Sequence, residues 1–280
     1  DLHTRSWYII IRGGKKGTPI PFWKVYKLTV SGFALNYATP VGLMGGEPYR
    51  IMELTPYVGA SKATSSVILY VMMHIFSHFC FWFFSIFLYL ALRPVDIAMG
   101  TILAVVGAVS LLAIYFFMKG YKNGMAVRTL KLLQHIPFIK EWAKRFSENK
   151  REALERVDSQ IAELHKQRRS TFYASLSLEF MARIIGCLEV YFILNILTTD
   201  VSFPACILIM AFTSLFANLF FFSPMQLGAR EGGFALAVGG LAIPGAFGVY
   251  TGLITRVREL IWIVIGVLLM KVGNGTPANK

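Results

Sequence analysis

Runs of about 20 predominantly apolar residues recur along this chain, and no other feature constrains its folding as strongly. Val67–Leu92, Ile97–Met118, Phe172–Leu197, Phe203–Phe222 and Phe247–Met270 are each close to the length that crosses the hydrocarbon core of a bilayer. In lipid every backbone polar group must be satisfied within the chain, so such segments fold as helices. The expected fold is therefore all-α, a polytopic transmembrane helix bundle. Composition agrees: 55% of residues are apolar and only 15% charged, against about a quarter charged in an average soluble chain. Disorder, a disulfide scaffold and a soluble enzyme are excluded by these runs. So is a nucleic-acid-binding domain, despite a net charge of +13. The three cysteines, Cys80, Cys187 and Cys206, lie in apolar runs without metal-ligand spacing and read as small hydrophobes.

The 119–170 segment carries thirteen of the 28 basic residues and places itself in the cytoplasm by the Lys/Arg bias of membrane loops. Within 148–169, Leu154, Val157, Ile161 and Leu164 recur at helical spacing among charges, which reads as a basic amphipathic insertion. Residues 1–280 then form a single transmembrane domain. Counting back, the Arg93–Asp96 turn lies outside and residue 62 inside. The basic stretch before Leu28 also reads as cytoplasmic. Leu28–Met44, interrupted by Pro40 and Gly42, is then expected to enter and return as a re-entrant segment, and a broken backbone at that depth implies a cavity.

Thr39-Pro40-Val41-Gly42-Leu43-Met44-Gly45-Gly46-Glu47 aligns without gaps on Ser223-Pro224-Met225-Gln226-Leu227-Gly228-Ala229-Arg230-Glu231. Both copies end an apolar run and place a glutamate seven residues after the proline. Paired Pro/Gly-broken segments point to a transporter's binding site. The fold is thus expected to carry two Pro/Gly-broken, re-entrant segments related by an internal repeat.

A charge at mid-membrane costs about 2.5–3.5 kcal/mol on insertion scales, so each needs a reason. Five acids (Glu47, Glu179, Glu189, Glu231, Glu259) and five bases (Arg50, Arg183, Arg230, Arg256, Arg258) lie in or beside the apolar segments. Glu47, Arg50, Arg230, Glu231, Arg256 and Glu259 are the candidate substrate-binding residues. Glu179 and Arg183, four apart on one helical face, are expected to form a supporting pair, with Gly186 allowing close approach by a neighbour. Arg258 is expected to snorkel to the interface. Tyr70, His74 and His78, with Ser66, form a polar stripe that should face the bundle. His-x-x-x-His on a helix can hold a metal, but no further ligand is indicated in the sequence, and no metal or other cofactor is assigned. The stripe reads as interhelical hydrogen bonding or as a substrate or proton contact. His3, His135 and His165 carry no signal. No catalytic residue is assigned, because no nucleophile elbow, phosphate loop or dinucleotide fingerprint is present.

At Gly228-Ala229-Arg230-Glu231-Gly232, followed by Gly239-Gly240, Pro244 and the Arg256-containing span, and again from Asn36 to Arg50, the chain resembles the transmembrane region of the lysylphosphatidylglycerol synthase family, the flippase-like domain family. The resemblance runs over roughly residues 5–271. It implies a multi-pass protein of the bacterial cytoplasmic membrane that handles phospholipids, anionic or aminoacylated. It also implies an N-terminal span or two that are absent here. Gln226 stands where the family's second motif usually has its first glycine. The reading is a lipid translocase, with membrane lipids as partners alongside a second copy of the chain or a soluble synthase, and with no nucleic acid. Two alternatives stand beside it. One is a membrane transferase using Glu47 or Glu231 as base, the other a membrane subunit docking a soluble synthase through 119–170.

Overall fold

The computed structural model describes residues 1–13, 20–38, 45–123, 155, 159, 169–198, 200–220 and 226–271, with side chains to residue 119 in the third of these stretches. The described residues form helices and connecting turns, with no strand. In chain order the helices are α1 (Leu2–Arg12), α2 (Phe22–Ala38), α3 (Gly46–Val58), α4 (Ala60–Leu92), α5 (Ile97–Asn123), α6 (Arg169–Leu197), α7 (Phe203–Leu219), α8 (Ala229–Gly239) and α9 (Gly245–Lys271). The prolines of both repeat copies, and nearly all of the amphipathic 148–169 stretch, lie outside the described residues.

Three of these helices, α4, the 97–119 part of α5, and α6, are long and apolar enough to cross a membrane. At 33 residues, α4 is about 50 Å long and outreaches the hydrocarbon layer at one end or both. At the Arg93–Asp96 turn, Asp96 Oδ1 accepts the Met99 amide at 2.7 Å and caps α5. Ser202 caps α7 in the same way, accepting the Ala205 amide. Ahead of it, Asn195 clamps the α6–α7 connection, donating to the Val201 carbonyl and accepting the Val201 amide.

Three apolar clusters hold the bundle. The largest joins α1 (Trp7, Ile10, Ile11) to Val25, Leu28, Leu54 and the α4 residues Val67, Tyr70, Met73 and Phe76. A second lies between α6, α7 and α8 around Val190, Leu194, Ile209 and Phe234. The third joins Phe81 and Trp82 of α4 to Cys187 and Ile207. All three cysteines are free. Opposite these clusters, α5 presents Ile102, Val105, Val109, Leu112 and Phe116 outward, as a helix in lipid does.

The last helix is different. With three charges in its middle, α9 packs on α2 and α8, and glycines set how closely. A Cβ added at Gly248 would stand 2.6 Å from the Phe234 carbonyl group. One at Gly266 would stand 2.7 Å from Ala34 Cβ and the Val30 carbonyl oxygen. Interhelical packing in membranes favours small residues for this reason. Gly186, by contrast, has nothing within 4 Å of such a Cβ, so it does not serve the close approach expected of it. It borders a cavity. Gly248→Ala and Gly266→Ala are therefore expected to destabilise by about 1–3 kcal/mol, whereas Gly186→Ala should be neutral or raise stability by up to about 1 kcal/mol through helix propensity. Thermal melting of the three variants in one detergent measures the difference.

Candidate functional site

The two repeat copies build the same local device. In each, a Gly-containing break leads into a short helix with a glutamate in its first turn, Glu47 in α3 and Glu231 in α8. A carboxylate there meets the unsatisfied amides of the helix start. Glu231 Oε2 accepts the Gly228 amide at 2.9 Å, which is the glutamate half of a capping box. In the first copy Asn36 does this work, its Oδ1 accepting the Gly46 amide while its Nδ2 donates to Glu47 Oε1 at 2.9 Å.

Each glutamate also takes an arginine. Glu47 pairs with Arg50 at 3.2 Å, and Arg50 donates onward to the Leu28 and Thr29 carbonyls of α2 beneath the rings of Trp7 and Tyr70. Glu231 pairs with Arg256 of α9, whose Nε donates at 2.7 Å. Arg256 also donates to Tyr37 Oη at 3.2 Å, and Tyr37 in turn donates to Glu259 Oε2 at 2.5 Å. Arg230 closes the set by pairing with Glu259. Arg256 and Glu259 are buried, at 9% and 7% exposure. One neutral network of two arginines, two glutamates and a tyrosine thus bolts α2, α8 and α9 together. Tyr37 had no sequence signal beyond its place at the end of an apolar run.

Arg258, expected to reach the interface, is half exposed and has a partner on another helix. It crosses to Glu189 of α6 at 2.8 Å, with Glu259 3.8 Å away on its other side. Four Arg–Glu pairs therefore account for eight of the ten charged residues in or beside the apolar segments. The remaining two are Glu179 and Arg183, and the pair expected between them is not formed. Glu179 is fully buried and turns to two imidazoles, His3 Nδ1 at 2.8 Å and His74 Nδ1 at 3.0 Å. Its second oxygen, Oε1, is buried without a hydrogen-bond partner. Arg183 is long enough to pass Glu179 and reach α4, donating to Ser77 Oγ and to the His74 carbonyl, both at 2.8 Å. Of the five arginines it is the one without a carboxylate at ion-pair distance among the described residues. The stripe on α4 does face the bundle: Ser66, Tyr70 and Ser77 are buried, and Tyr70 stacks on Trp7. His78 Nδ1 is likewise buried without a partner.

A cavity of about 200 Å³ lies beside these groups. His3, His74, Arg183, Glu189, Arg230 and Arg258 give it polar walls, with Phe81, Met210 and the edge of Gly186 between them. Of the six residues singled out in sequence as substrate-binding, Arg230 reaches this wall. Arg256, Glu259 and Glu231 stand behind it, and Glu47 and Arg50 belong to the α2–α3 pair. His3 was not expected here, and Arg183, expected as half of a supporting pair, stands on the wall itself. His3 sits in a short α1 whose neighbours are set by tertiary packing, which no local pattern reports.

Both oxygens of Glu231 are engaged, by Arg256 and by the Gly228 amide. The lysylphosphatidylglycerol synthase TM region family matches residues 2–266, and the chain belongs to that family, which makes it an integral membrane protein linked to lipid handling. Comparison with curated proteins and with solved structures returns no match.

The connection into α8 shows what the departure at Gln226 means. Gln226 has φ +51°, the left-handed region that costs a side-chain-bearing residue about 1–2 kcal/mol and a glycine almost nothing. Gly228, two residues on, has φ +78°. Gln226→Gly is therefore expected to be stabilising or neutral despite the added chain entropy of glycine, and Gly228→Ala destabilising by about 1–2 kcal/mol. Truncating one partner of the buried network is the larger injury. Glu259→Gln leaves Arg230 facing uncompensated burial and should cost about 3–5 kcal/mol, against less than about 1 kcal/mol for the half-exposed Arg258→Ala. Melting temperatures of these variants rank the four effects.

Proposed function

We propose that this protein is a phospholipid translocator whose cavity receives the lipid headgroup. The observation that carries the reading is Arg183, a partly buried guanidinium on the cavity wall that is held by neutral groups and has no carboxylate at ion-pair distance among the described residues. A phosphate bound there gains a charge-assisted hydrogen bond in a low-dielectric site. Arg230 and Arg258 offer further cationic surface, already balanced by Glu259 and Glu189. Glu189 gives the ammonium of a zwitterionic or aminoacylated headgroup a place to sit. At about 30 Å³ per water, the cavity holds a phosphate and a few waters, not a whole lipid. The acyl chains remain outside, among the apolar side chains of the bundle surface.

The paired network behind the cavity sets its shape. Glu231–Arg256 and Arg230–Glu259 fix α8 on α9, while Glu47–Arg50 fixes α3 on α2. In this reading α2 and α3 form a re-entrant hairpin, residues 119–170 lie on the cytoplasmic side of a bacterial inner membrane, and 1–280 works as one transmembrane domain. The engagement of both Glu231 oxygens favours transport over the alternative in which that carboxylate acts as a base. No catalytic residue is assigned.

Reconstitution into liposomes with a fluorescent phospholipid, read by bleaching of the outer leaflet, tests the reading. Arg183→Gln removes a hydrogen bond to a charged group, worth about 1.5–3 kcal/mol, so transport should fall roughly ten- to a hundredfold. Arg183→Lys should retain part of it. Wild-type transport in Arg183→Gln contradicts the assignment.

A further inference from the structure

The convergence of His3, His74 and Glu179 has a property that the lipid reading does not use. Three helices distant in sequence, α1, α4 and α6, each send one metal-ligating side chain to the same point, and the three ligand atoms lie within 4.8 Å of one another. We propose that this cluster is a binding site for a divalent transition metal of the zinc type, with two imidazole nitrogens and one carboxylate oxygen as ligands.

The chemistry of the donor set argues for it. Imidazole suits zinc and its neighbours in the first transition row, while calcium and magnesium take oxygen ligands. Tetrahedral zinc with bonds of about 2.0–2.1 Å holds its ligand atoms about 3.3 Å apart. The two Nδ1 atoms stand 2.8 and 3.0 Å from Glu179 Oε2 and all three ligand atoms lie within 4.8 Å of one another, so the rings must draw back from the carboxylate by a few tenths of an ångström and close on one another by up to about 1.5 Å to reach that spacing. In the metal-free arrangement each neutral ring donates Nδ1–H to the carboxylate. Metal binding asks only that each ring carry its proton on Nε2 instead, with no net charge lost.

A second observation is independent of that spacing. Glu179 is fully buried, yet its Oε1 has no hydrogen-bond partner, a costly arrangement for a carboxylate. A metal ion bound to this carboxylate answers that cost. The two rings are about two-fifths exposed, and both border the cavity, so an ion has a route in and coordination positions left open after three protein ligands. Arg183, one turn from Glu179, sets a positive charge on the same wall. The open positions therefore suit an oxyanion such as a phosphate, a clause that rests on the headgroup reading above.

The full chain in detergent, stripped with a chelator and dialysed, is titrated with cobalt(II), whose visible absorption reports tetrahedral coordination, and then with zinc(II). Wild type is expected to take up about one equivalent, give the tetrahedral band and lose it to zinc. His3→Gln, at the head of α1, and His74→Gln should each weaken uptake at least tenfold while eluting and melting as the wild type does. Glu179→Gln should abolish the band. Wild-type uptake no greater than that of the His3→Gln/His74→Gln double variant overturns the site, as does an undiminished band in either single variant. Transport measured on the same preparations judges the headgroup reading separately, because metal uptake is read without lipid.

Discussion

An ionised side chain taken from water into the interior of a helix bundle loses solvation worth several kcal/mol, and the loss must be recovered from specific partners. This constraint organises the structure more than any apolar contact, because lipid and leucine offer one another nothing that distinguishes a right packing from a wrong one. Glu47–Arg50, Glu231–Arg256, Arg230–Glu259 and Arg258–Glu189 each answer it with an ion pair, although Glu47 Oε2 is buried without a hydrogen-bond partner among the described residues, and each pair crosses or braces a helix contact. The position of α9 follows from it. Three charges in the middle of α9 would be intolerable against lipid, and they are tolerated because α2, α6 and α8 supply Tyr37, Glu189, Arg230 and Glu231.

With four pairs closed, the residues that do not follow the pattern become informative. Glu179 and Arg183 lie one turn apart on α6 and yet do not pair. Each instead engages α4, and Glu179 also engages α1, so the α6–α4 seam is polar. The cavity lies at this seam. Among the described residues, a buried carboxylate with one bare oxygen and a guanidinium with no carboxylate beside it are an incomplete electrostatic arrangement, and the cavity that Arg183 borders is where a charged group from outside would complete it. Membership of the lysylphosphatidylglycerol synthase TM region family links the chain to lipid handling, and the headgroup reading proposed above takes its chemistry from there.

Much of the architecture was legible in the sequence because membrane helices announce themselves by length and hydropathy. The long spans, the turn at Arg93–Asp96, the inward polar stripe of α4 and the glutamates in the first turns of α3 and α8 all rest on local pattern. The near-neutral balance of five acids and five bases was legible too, since burial demands it. Pairing was not. Glu179 and Arg183 had the ideal spacing for a pair, but spacing along one helix says nothing about Ser77 or His3 arriving from another. Arg258 similarly found Glu189 on a neighbouring helix. His3 looked like a surface residue because α1 has a mixed composition, and only its wedging between α4 and α6 makes it part of a site. Gly186 looked like a packing contact and is a piece of cavity wall.

The central claim is that the cavity at the α4–α6 seam holds a lipid headgroup through Arg183. A structure of the protein determined in lipid nanodiscs containing anionic phospholipid tests this most directly. Density for a phosphate within hydrogen-bond distance of the Arg183 guanidinium is expected, with acyl chains leaving the cavity towards the bundle surface. A cavity filled only by water in such a structure, with headgroup density confined to the outer surface of α5 and the ends of the bundle, would contradict it.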